Sequence, residues 1–203
     1  MILSSQRLSP LLALLALIGL TACDPISLTL GAGAATGVAA YQERGIEGVA
    51  RDAAIEARIF KLWVQHDKKM TARLSIEVYE SRALLTGVAR SEEERADAVG
   101  MAWKAHGVED VMNEIIVGDA SGLGEVARDT AITGELKSKL TFDDKVLAVN
   151  YAIETVRGTV FLLGIAQNQA ELNRVIAQAR NVAYVKRVVS YVRVKKAAKG
   201  GGV

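Results

Sequence analysis

Few groups in this chain are of a type that does chemistry: one thiol, two imidazoles, an adjacent pair of carboxylates and a late excess of lysine and arginine. Cys23 is the sole cysteine, so it has no disulfide partner within the chain and stability must come from burial. It follows an apolar run from Leu11 to Leu20, with Arg7 ahead of the run and small residues just before the thiol, which is the build of a secretory signal. The run is too short to cross a hydrocarbon layer of about 30 Å. His66 and His106 both fall in the first half without later counterparts, and read as loop or surface histidines rather than metal ligands or general bases. Asp143-Asp144 reads as a solvated loop pair. No H-E-x-x-H, G-x-S-x-G, P-loop or paired-cysteine pattern occurs, so neither enzyme activity nor a cofactor or metal site is expected.

Leu20-Thr21-Ala22-Cys23 resembles the lipobox of bacterial lipoproteins. The resemblance implies cleavage after residue 22, a diacylglyceryl group on the Cys23 thiol and an acyl chain such as palmitate on the new amino group. Several buried chains, at about 0.8 kcal/mol per CH₂, make such an anchor effectively permanent. Asp24 follows, which in enteric bacteria resembles a signal for retention in the inner membrane. From Pro25 to Gln42 no charge occurs, and Gly31, Gly33 and Gly37 alternate with Ala and Thr. A dinucleotide fingerprint lacks its strand and βαβ unit, and a G-x-x-x-G dimer face lacks an apolar helix; residues 23–49 read best as a flexible tether.

The elements that must position the remaining groups come twice. Asp52-Ala53-Ala54-Ile55 matches Asp129-Thr130-Ala131-Ile132, and Leu85-Thr86-Gly87-Val88-Ala89 matches Leu162-Leu163-Gly164-Ile165-Ala166, both at an offset of 77. Beyond the second helix the pattern reads as shifting by three, setting Val108 and Val111 against Val182 and Val185. Ile55, Ile59, Leu62 and Trp63, and likewise Ile132, Leu136 and Leu140, have helical spacing, with Asp52 and Asp129 placed as helix caps. Alternation at Leu74, Ile76 and Val78 followed by Leu84 to Val88 predicts a hairpin turning near Ser81-Arg82; the second copy turns at Arg157-Gly158. Ser91-Glu92-Glu93-Glu94 and Asn168 open second helices, and Val111–Val117 and Tyr184–Val194 read as closing strands. The expected fold class is α+β, each copy α-β-β-α-β with two helices on one face of a three-stranded mixed sheet.

With a glycine after the second strand's apolar run, Gly87 and Gly164, and a Val-x-x-Val near the last strand, each copy resembles a BON domain. The expected domains are a signal peptide over 1–22, the tether over 23–49, BON domains over 50–118 and 125–195, and a basic disordered tail over 196–203. Both glycines read as structural, marking close backbone approach. Together with the lipobox, the chain resembles dual-BON lipoproteins of Gram-negative envelopes. That resemblance implies a periplasm-facing, outer-membrane protein that binds anionic phospholipid and supports envelope integrity. It also implies that the opening helix of the second domain touches lipid through an aromatic near its start, where this chain has Ala131; Phe142 past the helix is the substitute.

Charge divides the copies. Asp52–Gly118 holds 9 basic and 12 acidic residues, whereas Glu125–Val203 holds 13 basic and 7 acidic. A basic surface gains about 1 kcal/mol per Lys or Arg beside anionic headgroups, so Arg128, Lys137, Lys139, Phe142, Lys195 and Lys196 are the expected phospholipid contacts, with Lys199 beyond them. An adaptor contacting envelope assembly proteins through Trp63, Trp103 or a sheet edge is the alternative. Nucleic acid is not an expected partner, since neither copy has a G-x-x-G loop between helices.

Overall fold

A computed structural model describes residues 39–196; Cys23, Asp24, the signal segment and Lys199 lie outside them. In the first copy α1 (Gly45–His66) leads through a 3₁₀ turn (Met70–Ala72) to β1 (Leu74–Tyr79), β2 (Arg82–Ala89), α2 (Glu92–Lys104), β3 (Asp110–Asn113) and β4 (Ile116–Val117). In the second, α3 (Leu123–Thr141) and a 3₁₀ turn (Ala148–Asn150) precede β5 (Tyr151–Val156), β6 (Thr159–Ala166), α4 (Gln169–Arg180) and β7 (Arg187–Val194). β1 and β5 pair antiparallel with β2 and β6, while the closing strands run parallel to those central strands. The α+β, mixed-sheet architecture is as the periodicity requires. The first closing strand differs from the single strand expected: it breaks at Glu114-Ile115, where Ile115 turns into the core.

Helical stripes form the two main cores. Ile55, Ile59 and Trp63 of α1 meet Ala98 and Ala102 of α2 over β1 and β2, and the Trp63 indole N–H donates to the Ala98 carbonyl at 3.1 Å. Ile132, Leu136 and Leu140 meet Leu172, Val175 and Ala179 over β5 and β6. The Ser91 and Asn168 side chains cap α2 and α4 by accepting from the Glu94 and Glu171 N–H groups, at 3.2 and 2.9 Å. The Glu94 and Glu171 carboxylates return to the Arg90 and Gln167 N–H groups, both at 2.6 Å, so each helix start is closed from both sides.

Asp52 and Asp129 do not cap their helices. Both lie inside α1 and α3, and their buried carboxylates grip the hairpin turn instead. Asp52 accepts from the N–H groups of Glu80 (2.8 Å) and Ser81 (2.9 Å), and Asp129 from those of Arg157 (2.6 Å) and Gly158 (2.9 Å). The turns are therefore Glu80-Ser81, one residue earlier than expected, and Arg157-Gly158. All four residues have positive φ, as a two-residue turn matched to strand twist demands. Three are not glycine, and each costs about 1–2 kcal/mol in that region, which the charge-assisted bonds offset.

Beyond the second helix the offset stays at 77, not shifted by three. Glu109 N–H donates to the Ser81 carbonyl and Lys186 N–H to the Gly158 carbonyl; Val108 N–H donates to Ala105 and Val185 N–H to Val182. Val108 and Val111 thus correspond to Val185 and Val188. Main-chain geometry at the turns fixes this register, and the recurrence of valine every three residues conceals it.

The folded part also begins within the stretch expected as tether. Arg44 donates to Asp52 at 2.7 Å and to the Val78 carbonyl at 3.0 Å, and its guanidinium stacks over Tyr79. Glu43 reaches the second copy, its N–H donating to Asn150 at 2.9 Å and its carboxylate meeting Gln167 and Lys195. A third core joins the copies through the sheet faces turned away from the helices: Tyr79, Leu84 and Met112 against Phe161 and Leu163. Arg82 crosses this seam to the Tyr191 carbonyl at 2.9 Å.

At Gly87 and Gly164 (φ +108° and +148°) an added Cβ would fall 2.1 Å from the Arg73 carbonyl oxygen and 2.0 Å from that of Asn150. Gly164→Ala is therefore expected to destabilise the protein by about 2 kcal/mol or more, through strain that L side chains cannot relieve. Asp129→Ala, which leaves two turn N–H groups unpaired, is expected to cost a similar amount. Urea unfolding checks both, and a loss below about 0.5 kcal/mol contradicts the packing described.

Glu77 and Glu154, counterparts on the seam-facing side of β1 and β5, stand within Coulombic reach of one another. Burial and then Glu77 push Glu154 up to about 7 and Glu56 up to about 8, and burial raises Glu77. Lys137 and Arg44 oppose these shifts. Because each folded-state value exceeds the ordinary one of 4.5, this stabilising contribution is complete below about 4.5 and is lost as pH rises through about 7 to 8. The urea midpoint should therefore fall between about pH 5.5 and 8.5, and Glu77→Gln should flatten the slope. A midpoint constant over that range would refute the assignment.

Candidate functional site

The Asp129 grip fixes one end of the second domain, where the start of α3, the Arg157-Gly158 turn and the segment before β7 converge. Here Tyr184 holds positive φ (67°) and is 72% exposed, with the Arg128 guanidinium over its ring, 5.4 Å from the centroid. Leu123, 92% exposed, and Val126 add apolar surface at the same end of α3. A pocket of about 230 Å³ opens between Arg128, Arg157, Tyr184 and Lys186, and the acidic residues Glu125 and Asp129 also line it. Arg157 is pinned there, its guanidinium donating to the Asp119 carbonyl at 2.6 Å and standing 3.4 Å from Glu125.

The same end of the first domain has a different character. At the constant offset, Arg157 replaces Glu80, Lys186 replaces Glu109 and Tyr184 replaces Gly107, itself at φ +99°. Two acidic positions have become basic. A glycine suited to left-handed backbone has become a strained, exposed tyrosine, which, unlike the positive-φ residues of the hairpin turns, is held by no side-chain clamp among the described residues. These cations and aromatic, flanked by apolar residues, can hold a phosphate while the hydrophobic groups enter an interface.

The six residues expected to contact phospholipid do not form one patch. Arg128 belongs to the end just described. Phe142, 86% exposed, follows the far end of α3, about 21 Å away along the helix. Lys139 is paired with Glu135 at 2.7 Å, and Lys195 with Glu43 at 2.8 Å. Lys137 lies within Coulombic reach of Glu77 and Glu154, and Lys196 follows the end of β7. Sequence reasoning missed Tyr184, Lys186, Arg157, Leu123 and Val126. The legible signal was Tyr184 opposite Gly107, visible once the copies are aligned without a shift.

Of the other residues singled out, Trp63 and His66 sit as expected, in the core and on the surface, whereas Asp143 does not. Trp63 is fully buried and offers no adaptor surface, whereas Trp103 is half exposed. His66 is surface-placed and faces Asp97 at 3.2 Å. Asp143 does not merely solvate its loop: it accepts from Arg174, Gln178 and the Lys145 N–H, stapling the loop to α4, and the Arg174 bond leads the causes holding its pKa below the usual range. Among the described residues no helix is long and apolar enough to cross a membrane.

The family model for the BON domain matches residues 51–119 and again 128–196, two spans set 77 residues apart. Over 145 residues the chain is 43% identical to the "Uncharacterized protein in gshII 5'region" of Anaplasma centrale, covering 71% of this chain and 95% of that protein. It is 32% identical over 146 residues to Osmotically-inducible protein Y of Escherichia coli, covering 71% of this chain and 73% of the relative. A longer match, 29% identical over 191 residues, is to Outer membrane lipoprotein DolP of Haemophilus influenzae, with 91% of this chain and 96% of that protein covered. With both spans matched and the α-β-β-α-β order repeated in each, the chain belongs to the BON-domain family, as a tandem two-domain member.

Proposed function

We propose that this protein is an envelope lipoprotein, anchored through Cys23 and facing the periplasm from the outer membrane, whose second BON domain binds anionic phospholipid and supports envelope integrity. The observation that carries the proposal is the replacement of Gly107, Glu80 and Glu109 by Tyr184, Arg157 and Lys186 at one end of a duplicated fold. Tyr184, Leu123 and Val126 enter the headgroup region, where an amphipathic ring is favoured, and Arg128, Arg157 and Lys186 meet phosphates at about 1 kcal/mol each. Outer-membrane placement draws on the lipobox and on the named location of the DolP relative. The activity is binding, with no catalytic step.

The test uses the chain from position 23 onward with Cys23→Ser, which keeps every described element, floated with vesicles at low salt. Phosphatidylglycerol vesicles are expected to carry it and phosphatidylcholine vesicles are not. Tyr184→Gly should reduce binding several-fold while leaving thermal stability equal or higher, because it removes backbone strain. Lys186→Glu should weaken binding and flatten its salt dependence. Equal flotation with both lipids, or binding indifferent to both substitutions, defeats the proposal.

A further inference from the structure

The acidic first domain carries a basic groove of its own. An opening of about 290 Å³ lies between the last turns of α1 and the segment leaving α2, with Arg58, Lys61 and Lys104 around an apolar floor of Leu62 and Ala105. No carboxylate lines it. Among the described residues none of these three cations is ion-paired, although Arg73, Arg90 and Arg95 of the same domain are each held by a glutamate or aspartate. Arg58 is oriented by donating to the His106 carbonyl at 3.1 Å, which leaves the rest of its guanidinium fork free.

The fold does not oblige this arrangement. At the constant offset the second domain has Glu135, Ser138 and Asn181 in place of Arg58, Lys61 and Lys104, and its one lysine there, Lys139, is taken by Glu135. Three like charges gathered without counter-ions in a domain of net charge −3 repel one another, a cost that an anion removes. We propose that this groove is a phosphate-binding site, separate from the end of the second domain that meets lipid. Arg58 engages the phosphate oxygens through its fork, and Lys61 and Lys104 supply point charges from the two helices.

The same chain from position 23 with Cys23→Ser, labelled with ¹⁵N, is titrated with inorganic phosphate against sodium chloride at matched ionic strength. Amides of Arg58, Lys61, Lys104 and His106 are expected to shift with phosphate. The double variant Lys61→Gln/Lys104→Gln, which alters only exposed side chains, should weaken that response about tenfold. Phosphatidylglycerol vesicles added to a Tyr184→Gly/Lys186→Glu background separate the sources: loss of the groove signals there assigns the phosphate to a lipid headgroup, and their persistence assigns it to a soluble phosphate ester. Shifts reproduced by chloride, or unchanged in the double variant, overturn the site.

Discussion

A buried aspartate bonded to two turn N–H groups is the interaction on which each domain depends. Asp52 and Asp129 project from the second turn of α1 and α3 into the hairpin, where water cannot satisfy them, so each carboxylate relies on the turn amides that point at it, with Arg44 as a further donor to Asp52. The constraint propagates outward. The turn carbonyls of Ser81 and Gly158 receive the N–H groups of Glu109 and Lys186, which set the start of the closing strand and hence the position of the residue at 107 or 184. Helix, hairpin and closing strand are thus registered by one side chain.

With that frame held constant, the two copies were free to diverge at their ends and faces. Each sheet turns a second apolar face to its sibling, and burying a residue such as Leu84 or Phe161 there contributes about 1.5–3 kcal/mol that a lone domain would forgo. The segment around Glu43 and Arg44 bolts the start of the first domain to Asn150, Gln167 and Lys195 of the second. Divergence then concentrates where the frame presents side chains to solvent: basic and aromatic at the Tyr184 end of one copy, basic at the groove beside α2 in the other. Net charge per domain captures the first difference and hides the second.

Local and periodic features were legible in the sequence. Helix stripes, the caps Ser91 and Asn168, the Arg157-Gly158 turn and the close-approach glycines Gly87 and Gly164 each carry their own chemical signature. Features fixed by long-range geometry were not. An aspartate before a helical run has the same composition whether it caps the helix or reaches a turn 28 residues away, so Asp52 and Asp129 were misread. The continuous run Phe161-Leu162-Leu163 belongs to a strand buried on both faces, but the hairpin reading did not draw the seam from it. The largest loss came from the three-residue shift, which set Gly107 against Asn181 and so concealed the exchange of glycine for Tyr184.

Native-state hydrogen exchange at four amides, those of Glu80, Ser81, Arg157 and Gly158, tests the central constraint most directly. If the aspartates hold the turns, these amides exchange only through global unfolding, as slowly as the core amides of β2 and β6. Exchange at the rate of an open, solvated loop would contradict the carboxylate clamp and with it the placement of the Tyr184 end.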